Sequence, residues 1–156
     1  MLNLITDRTE TDVQRWRELD NKGWAAMSSA ERSEWMGEMK GRYTHTDMNR
    51  VEAAVEIIAE LMKKYGFLDS LPTVKTTWNL WSVPTVTDMR RYLENVRLLR
   101  SAVTGYPTTP NVPDIDKPFN YKVANDIEKI LEDLYDLMMK IPNSWYYSGE
   151  IYSGEV

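Results

Sequence analysis

A six-residue signature of Thr or Asn, Asp, apolar, any residue, Arg or Lys, and apolar occurs four times in 156 residues. The copies are TDVQRW from Thr11, TDMNRV from Thr46, TDMRRY from Thr87 and NDIEKI from Asn125, at offsets of 35, 41 and 38 residues. Thr and Asn side chains can accept a hydrogen bond from an orphan amide of a helix's first turn. The Asp that follows sits near the positive end of the helix dipole. Gln14 and Glu128, three residues after Thr11 and Asn125, complete the pattern of a capping box in the first and fourth copies. The signature therefore predicts four helix starts capped by Thr11, Thr46, Thr87 and Asn125. The same residues could form a recognition repeat, but local helix chemistry already accounts for them.

Each copy leads into apolar residues at helical spacing. Met48, Val51, Val55, Ile58, Met62 and Tyr65 step by three and four, as do Met89, Tyr92, Val96, Leu99 and Val103, and Ile127, Ile130, Leu134, Leu137 and Ile141. One apolar stripe per helix is the pattern of bundle packing. The first helix is shorter, with Val13, Trp16 and Leu19 ahead of Gly23. Ser28 and Glu31 form a further capping box, after which Trp35, Met36 and Met39 are the expected buried face. Gly23, Gly66 and Gly105 stand where helices should stop.

Two stretches do not read as helix. Val74, Thr76, Trp78 and Leu80 alternate with Lys75, Thr77, Asn79 and Trp81 between Pro72 and Pro84, which predicts a short extended piece. Residues 106–119 hold four of the seven prolines and predict an ordered, stiffened loop that brings the last helix into place. The closing segment, residues 143–156, contains the tandem pentapeptide YSGEI-YSGEV. An interval of five is out of step with the strand period of two, and Gly149 and Gly154 can bend the chain. Two short extended arms are expected there, pairing with Val74 to Leu80 or with a neighbour. The fold expected for residues 1–156 is a single, mainly α domain: a bundle of four to five helices with a short extended segment and a β-like C-terminal tail.

Composition removes several function classes. A hydrophobic content of 42% is enough for one substantial core. No apolar run approaches the roughly 20 residues that span a bilayer. The first residues, MLNLITDRTETD, lack the basic start and apolar run of a secretion signal, so synthesis and retention in the cytoplasm are expected, without membrane insertion. With no cysteine and one histidine, a metal site or thiolate nucleophile is not expected. A net charge of −5 without a basic stripe argues against nucleic-acid binding. No glycine-rich phosphate loop or nucleophile elbow occurs, and no cofactor is expected. His45 reads as a loop-packing or solvent-facing residue. The 24 acidic residues permit a two-carboxylate glycosidase, but nothing marks a particular pair.

Six Trp and nine Tyr against two Phe favour rings with a polar handle, which suit interfaces and sugar stacking as well as cores. Trp16, Trp24 and Trp35 fall on or beside helical apolar faces and are expected in the core. Trp78, Trp81, Trp145, Tyr146, Tyr147, Ile151 and Tyr152 lie outside the expected helices and are the interface or binding candidates.

The motifs LITDRT from Leu4, KGW from Lys22, EWMGEMKGRYTHTDMNRVEAAV from Glu34, TDMRRYLENVRLLR from Thr87, NDIEKIL from Asn125 and the closing YSGEIYSGEV together resemble a family of uncharacterised proteins from prophages of Gram-positive gut bacteria. The similarity covers most of the chain. It implies a virion component encoded near tail and baseplate genes, made in the host cytoplasm and then virion-associated. The expected role is non-enzymatic assembly or host attachment. Partners would be other virion proteins or further copies of the chain, and a carbohydrate receptor is compatible with the aromatic content. The alternative is a small prophage-encoded binding or regulatory protein acting inside the host. The family carries no known catalytic residues to transfer.

Overall fold

Three of the four signature copies open helices, each two residues earlier than expected. The computed structural model describes residues 2–153, with side chains described for residues 2–144. Helix α1 spans Glu10–Lys22, α2 Ser29–Met36, α3 His45–Lys64, α4 Val86–Ala102 and α5 Tyr121–Ser153, with a 3-10 turn at Trp24–Ala26. The N-caps of α1, α3 and α4 are Thr9, Thr44 and Thr85, each in a reciprocal capping box with Asp12, Asp47 or Asp88. Thr11, Thr46 and Thr87 are thus not caps but second residues of the first turn. The physical reason is that aspartate, although shorter than Glu or Gln, reaches back from the third helical position to the cap amide, at 2.7 Å for both Thr9 and Thr44. Thr-x-Thr-Asp is the working motif.

The fourth copy starts no helix. Asn125 lies inside α5, whose first turn is instead capped by Asn120, with Oδ1 accepting from the amides of Lys122 (2.9 Å) and Val123 (3.1 Å). Gln14 is exposed and Glu128 is buried, so neither is a box partner. The box at Ser28 and Glu31 forms as expected. Gly23 ends α1 at a φ of 73°, a conformation open to glycine at little cost.

Helices α3, α4 and α5 run parallel. Glu52 of α3 bonds Arg91 of α4 at 2.6 Å, and Arg50 of α3 bonds Glu128 of α5 at 3.0 Å. All four residues lie within the first few turns of their helices. Because a 20-residue helix is about 30 Å long, each connection must travel back along the bundle before the next helix can start. Residues 65–85 and 103–120 do this without regular secondary structure, in turns, bends and irregular backbone. Val74 packs on the core from the first return, and Val112 and Ile115 from the second. In the second, Thr109 bonds Asp133 at 2.7 Å and Tyr106 bonds Asp136, so the Pro-rich loop climbs α5 from its later turns toward its beginning.

The core is the meeting of the three stripes. Val51, Val55, Ile58 and Met62 meet Tyr92, Val96 and Leu99, and both meet Ile127, Ile130, Leu131, Leu134 and Met138. Each fully buried side chain contributes on the order of 1.5–3 kcal/mol. Helices α1 and α2 pack on one another, pinned by a two-bond Arg15–Glu34 pair at 2.9 and 2.7 Å.

Four expectations change. Trp24 is exposed, with the Arg32 guanidinium 5.1 Å from its ring centroid. Met36 faces outward because α2 is only 8 residues long and ends at Gly37. Leu80 breaks the proposed alternation, being exposed on a turn and not buried beside Trp78. No strand forms among the described residues, and the backbone of the closing segment continues α5 to Ser153. An established helix extends residue by residue without a new nucleation cost, which outweighs the roughly 1 kcal/mol penalty of Gly149. Residues 154–156 lie outside the described residues.

Candidate functional site

The bundle end where α3, α4 and α5 begin carries both a buried ionic cluster and the most exposed apolar surface. Arg8 arrives on the segment that precedes α1, with its side chain almost wholly buried. Its Nη2 bonds Asp47 at 3.0 Å and Glu128 at 2.6 Å, and Arg50 bonds the same two carboxylates. The Ile5 amide donates to Glu128 at 2.6 Å. Two cations and two anions therefore balance inside the fold. Burial opposes the charge on Arg50, but bonds to Glu128 and Asp47 outweigh it and hold its pKa above the ordinary value. Every charge in the cluster is satisfied by another, so its chemistry is structural: it fastens the N-terminal segment across α3 and α5.

A second clasp sets the geometry of the surface. Asn49 of α3 reaches Trp78 with both ends of its side-chain amide, accepting from the Trp78 amide and donating to its carbonyl, each at 2.8 Å. The Trp78 ring is 4% exposed, and its Nε1 donates to Glu52 at 3.4 Å. Lys75 Nζ sits 3.6 Å from its ring centroid. Immediately beyond this anchor the chain makes a tight turn. The Ser82 amide donates to the Asn79 carbonyl at 2.9 Å, the Asn79 amide to Ser82 Oγ at 3.1 Å, and the Trp81 amide to Asn79 Oδ1 at 3.0 Å.

The turn pushes its two central residues outward. Leu80 is 79% exposed and Trp81 90%, followed by Val83 at 82% and an exposed Val86. Leu80 also lines a cavity of about 380 Å³ with Trp35, Met36, Met39, Arg42 and His45. Arg42 lies over Trp35, its guanidinium carbon 5.4 Å from the ring centroid. Its Nε is buried without a hydrogen-bond partner, and Arg42 makes no ion pair among the described residues. The site thus combines an apolar tip held by the turn with a hollow of mixed lining, in which Trp35, Met36, Met39 and Leu80 share the wall with Glu38, Lys40, Arg42, His45 and Asp47.

Of the residues predicted for binding, the structure divides Trp78 from Trp81: the first is a core anchor and the second the tip of the turn. Trp145, Tyr146, Tyr147, Ile151 and Tyr152 lie on the helical backbone of α5 but outside the residues whose side chains are described. Sequence reasoning missed Leu80, Val83, Val86, Met36 and Arg42. The available signal was LWSVPTV itself, an apolar run between the asparagine-initiated turn and a threonine cap, where no helix or strand could bury it.

No helix among the described residues is long and apolar enough to cross a membrane. The described residues contain no cluster of three or more His, Asp or Glu placed to hold a metal ion. No protein-family model, curated protein or solved structure matches this chain.

Proposed function

We propose that this chain is a non-enzymatic interaction module of a phage particle, working at the tail or baseplate through protein contacts made by the turn Asn79 to Val86. The observation that carries the reading is the exposure of Leu80, Trp81 and Val83 on a turn held by three hydrogen bonds. Exposed apolar surface of this kind marks interaction sites. A turn already fixed in shape loses little conformational freedom on binding, so more of its apolar burial goes into affinity. The phage setting comes from the resemblance of the motifs, and it fits a surface suited to assembly. A pocket enclosing several unpaired polar groups would favour the alternative of a small intracellular binding protein. The cavity beside the turn is mixed, with Trp35, Met36, Met39 and Leu80 sharing its wall with charged groups of which Asp47 and Lys40 are already ion-paired within the fold.

Mass spectrometry of particles purified from the induced prophage tests the reading. Wild-type protein is expected at a fixed copy number per particle, and Leu80→Ser/Trp81→Ser protein should fold but be missing from particles. Absence of the wild-type chain from particles would overturn the phage role.

A further inference from the structure

We propose that the hollow between α1, residues 40–43 and the first turn of α5 binds a small organic anion, one that carries a phosphate or carboxylate on a planar ring. No residue of the turn at 79–86 lines it, so the inference goes beyond the contact reading and stands or falls separately.

The first argument is charge. The cavity, of about 410 Å³, has the size of a small-ligand site. Arg8, Arg17, Lys40 and Lys122 line it together with a single acid, Glu10. Arg8 is balanced by Asp47 and Glu128 in the ionic cluster, and Lys40 by Asp7 at 2.6 Å. Arg17 reaches Glu10 only at 4.0 Å, the longest ion pair among the described residues. Lys122 has no ion pair among the described residues: its Nζ lies 5.9 Å from the Tyr121 ring centroid, and Asp126, four residues on, is not part of the lining. After every pairing the hollow keeps one whole positive charge and a second loosely held, in a chain of net charge −5. Such a local surplus draws in anions. The cations supply it, not the helix end, because Asn120 already accepts from the Lys122 and Val123 amides.

The second argument is the wall. Phe119 packs on Tyr43 with ring centroids 4.8 Å apart, yet remains 38% exposed, so part of its ring is left uncovered. The Tyr43 hydroxyl is bonded to that of Tyr92, and the Arg8 guanidinium lies 5.5 Å from its ring centroid. Arg8 is fixed in turn by Ile5, Asp47 and Glu128. A wall held in this way costs little to order on binding. A bare inorganic anion would answer the cations and leave Phe119 uncovered, whereas a neutral ring would do the reverse. An oxyanion on a ring does both, its oxygens bonding Lys122 and Arg17 while the ring lies on Phe119.

Amide NMR spectra and calorimetric titration of the full chain with phenyl phosphate, benzoate, inorganic phosphate and phenol test the site. Phenyl phosphate or benzoate is expected to shift the Gly41, Tyr121 and Lys122 amides to saturation, and which of the two binds tighter identifies the oxyanion. Inorganic phosphate should bind more weakly at the same amides, and phenol should not bind. Arg17→Glu/Lys122→Glu should weaken the tighter ring anion by about tenfold or more with unchanged helical circular dichroism. Lys63→Glu/Lys64→Glu, the same charge change at the far end of α3, should leave it unaltered. Phe119→Leu should weaken the ring anion roughly two- to tenfold and leave inorganic phosphate unchanged. No binding of either ring anion at millimolar concentration would overturn the inference. So would equal losses in the two charge-reversed variants, or inorganic phosphate or phenol binding as tightly as the ring anions.

Discussion

Asn125 and Arg8, 117 residues apart, are joined by a two-bond clasp in which the Asn125 side-chain amide donates to the Arg8 carbonyl at 2.9 Å and accepts from the Arg8 amide at 3.1 Å. The pairing repeats what Asn49 does for Trp78. A third asparagine, Asn95 of α4, donates to the Thr73 carbonyl at 2.7 Å. An extended segment lying on a helix has backbone groups that the helix backbone, already bonded to itself, cannot satisfy. Asparagine carries an amide on its side chain and supplies the missing partner. Each of the three parallel helices uses one to hold a segment that crosses or climbs it.

Replacing Asn125 by Ala should therefore leave the Arg8 backbone groups without these partners and lower stability by about 1–3 kcal/mol. Asn49→Ala should cost a similar amount and also free the turn that presents Leu80 and Trp81. Urea unfolding followed by circular dichroism checks both. Midpoints equal to wild type would show that water replaces the clasps at no cost.

The caps give a prediction in which neighbouring threonines behave differently. Thr85→Ala should lower stability by about 1 kcal/mol, because it removes the oxygen that accepts from the Asp88 amide. Thr87→Ala, two residues on, should change it by only a few tenths. Thermal melts of the two variants decide the matter, and equal losses would contradict the capping boxes seen in the structure.

The same threonines show how far the sequence could be read. Apolar steps of three and four located α3, α4 and much of α5, because that period follows directly from helix geometry. Register within two residues was harder, since Thr-x-Thr-Asp offers two threonines and only the reach of the Asp side chain chooses between them. The direction of the helices was hidden. Two long connections are compatible with either orientation until Glu52 meets Arg91 and Arg50 meets Glu128. Asn125 reads as a cap because asparagine often takes that role locally, whereas its partner, Arg8, lies at the far end of the sequence. Trp81 was legible as a binding candidate, but its separation from Trp78 depended on where Asn49 gripped the chain.

Breaking the ionic cluster should be costly, and removing it whole should not. Glu128→Gln leaves Arg8 and Arg50 sharing one carboxylate, with a loss of about 3–5 kcal/mol expected for an uncompensated buried charge. Adding Arg8→Met to that variant should recover part of the loss, since one cation then faces one anion. Guanidinium unfolding of the single and double variants measures the coupling. A double variant as unstable as the sum of the singles would mean that the cluster does not act as a unit.

The corner between α1 and α2 carries an acid-sensitive group. Lys22, followed by the Ser28 amide, holds the Glu31 carboxyl at about 2, below its ordinary value of 4.5. A carboxylate with a depressed folded-state pKa stabilises the fold above its unfolded pKa and loses that contribution as pH falls through the folded one. The corner should therefore loosen as pH falls from about 4.5 to 2. Glu31→Gln should be less stable than wild type at neutral pH and equal to it at the acid end. An NMR titration of the Glu31 side chain with a midpoint near the ordinary value would contradict the assignment.

At the alkaline end the determining pair is Tyr43 and Tyr92, whose hydroxyls share one hydrogen bond beneath α3 and α4. Burial raises both above the ordinary tyrosine value, for Tyr43 against the lowering effect of its bond to Tyr92. In the unfolded chain these phenols lose their protons near pH 10, whereas in the folded protein they keep them. The folded state then binds more protons than the unfolded state, and stability must fall as pH rises. The contribution is complete below about pH 10 and declines above it by about 1.4 kcal/mol per pH unit for each proton retained. Unfolding midpoints of wild type should drop between about pH 10 and 12. Tyr43→Phe/Tyr92→Phe should start lower, for want of the hydrogen bond, but decline less steeply because neither position can ionise. Parallel declines would place the alkaline weakness elsewhere in the fold.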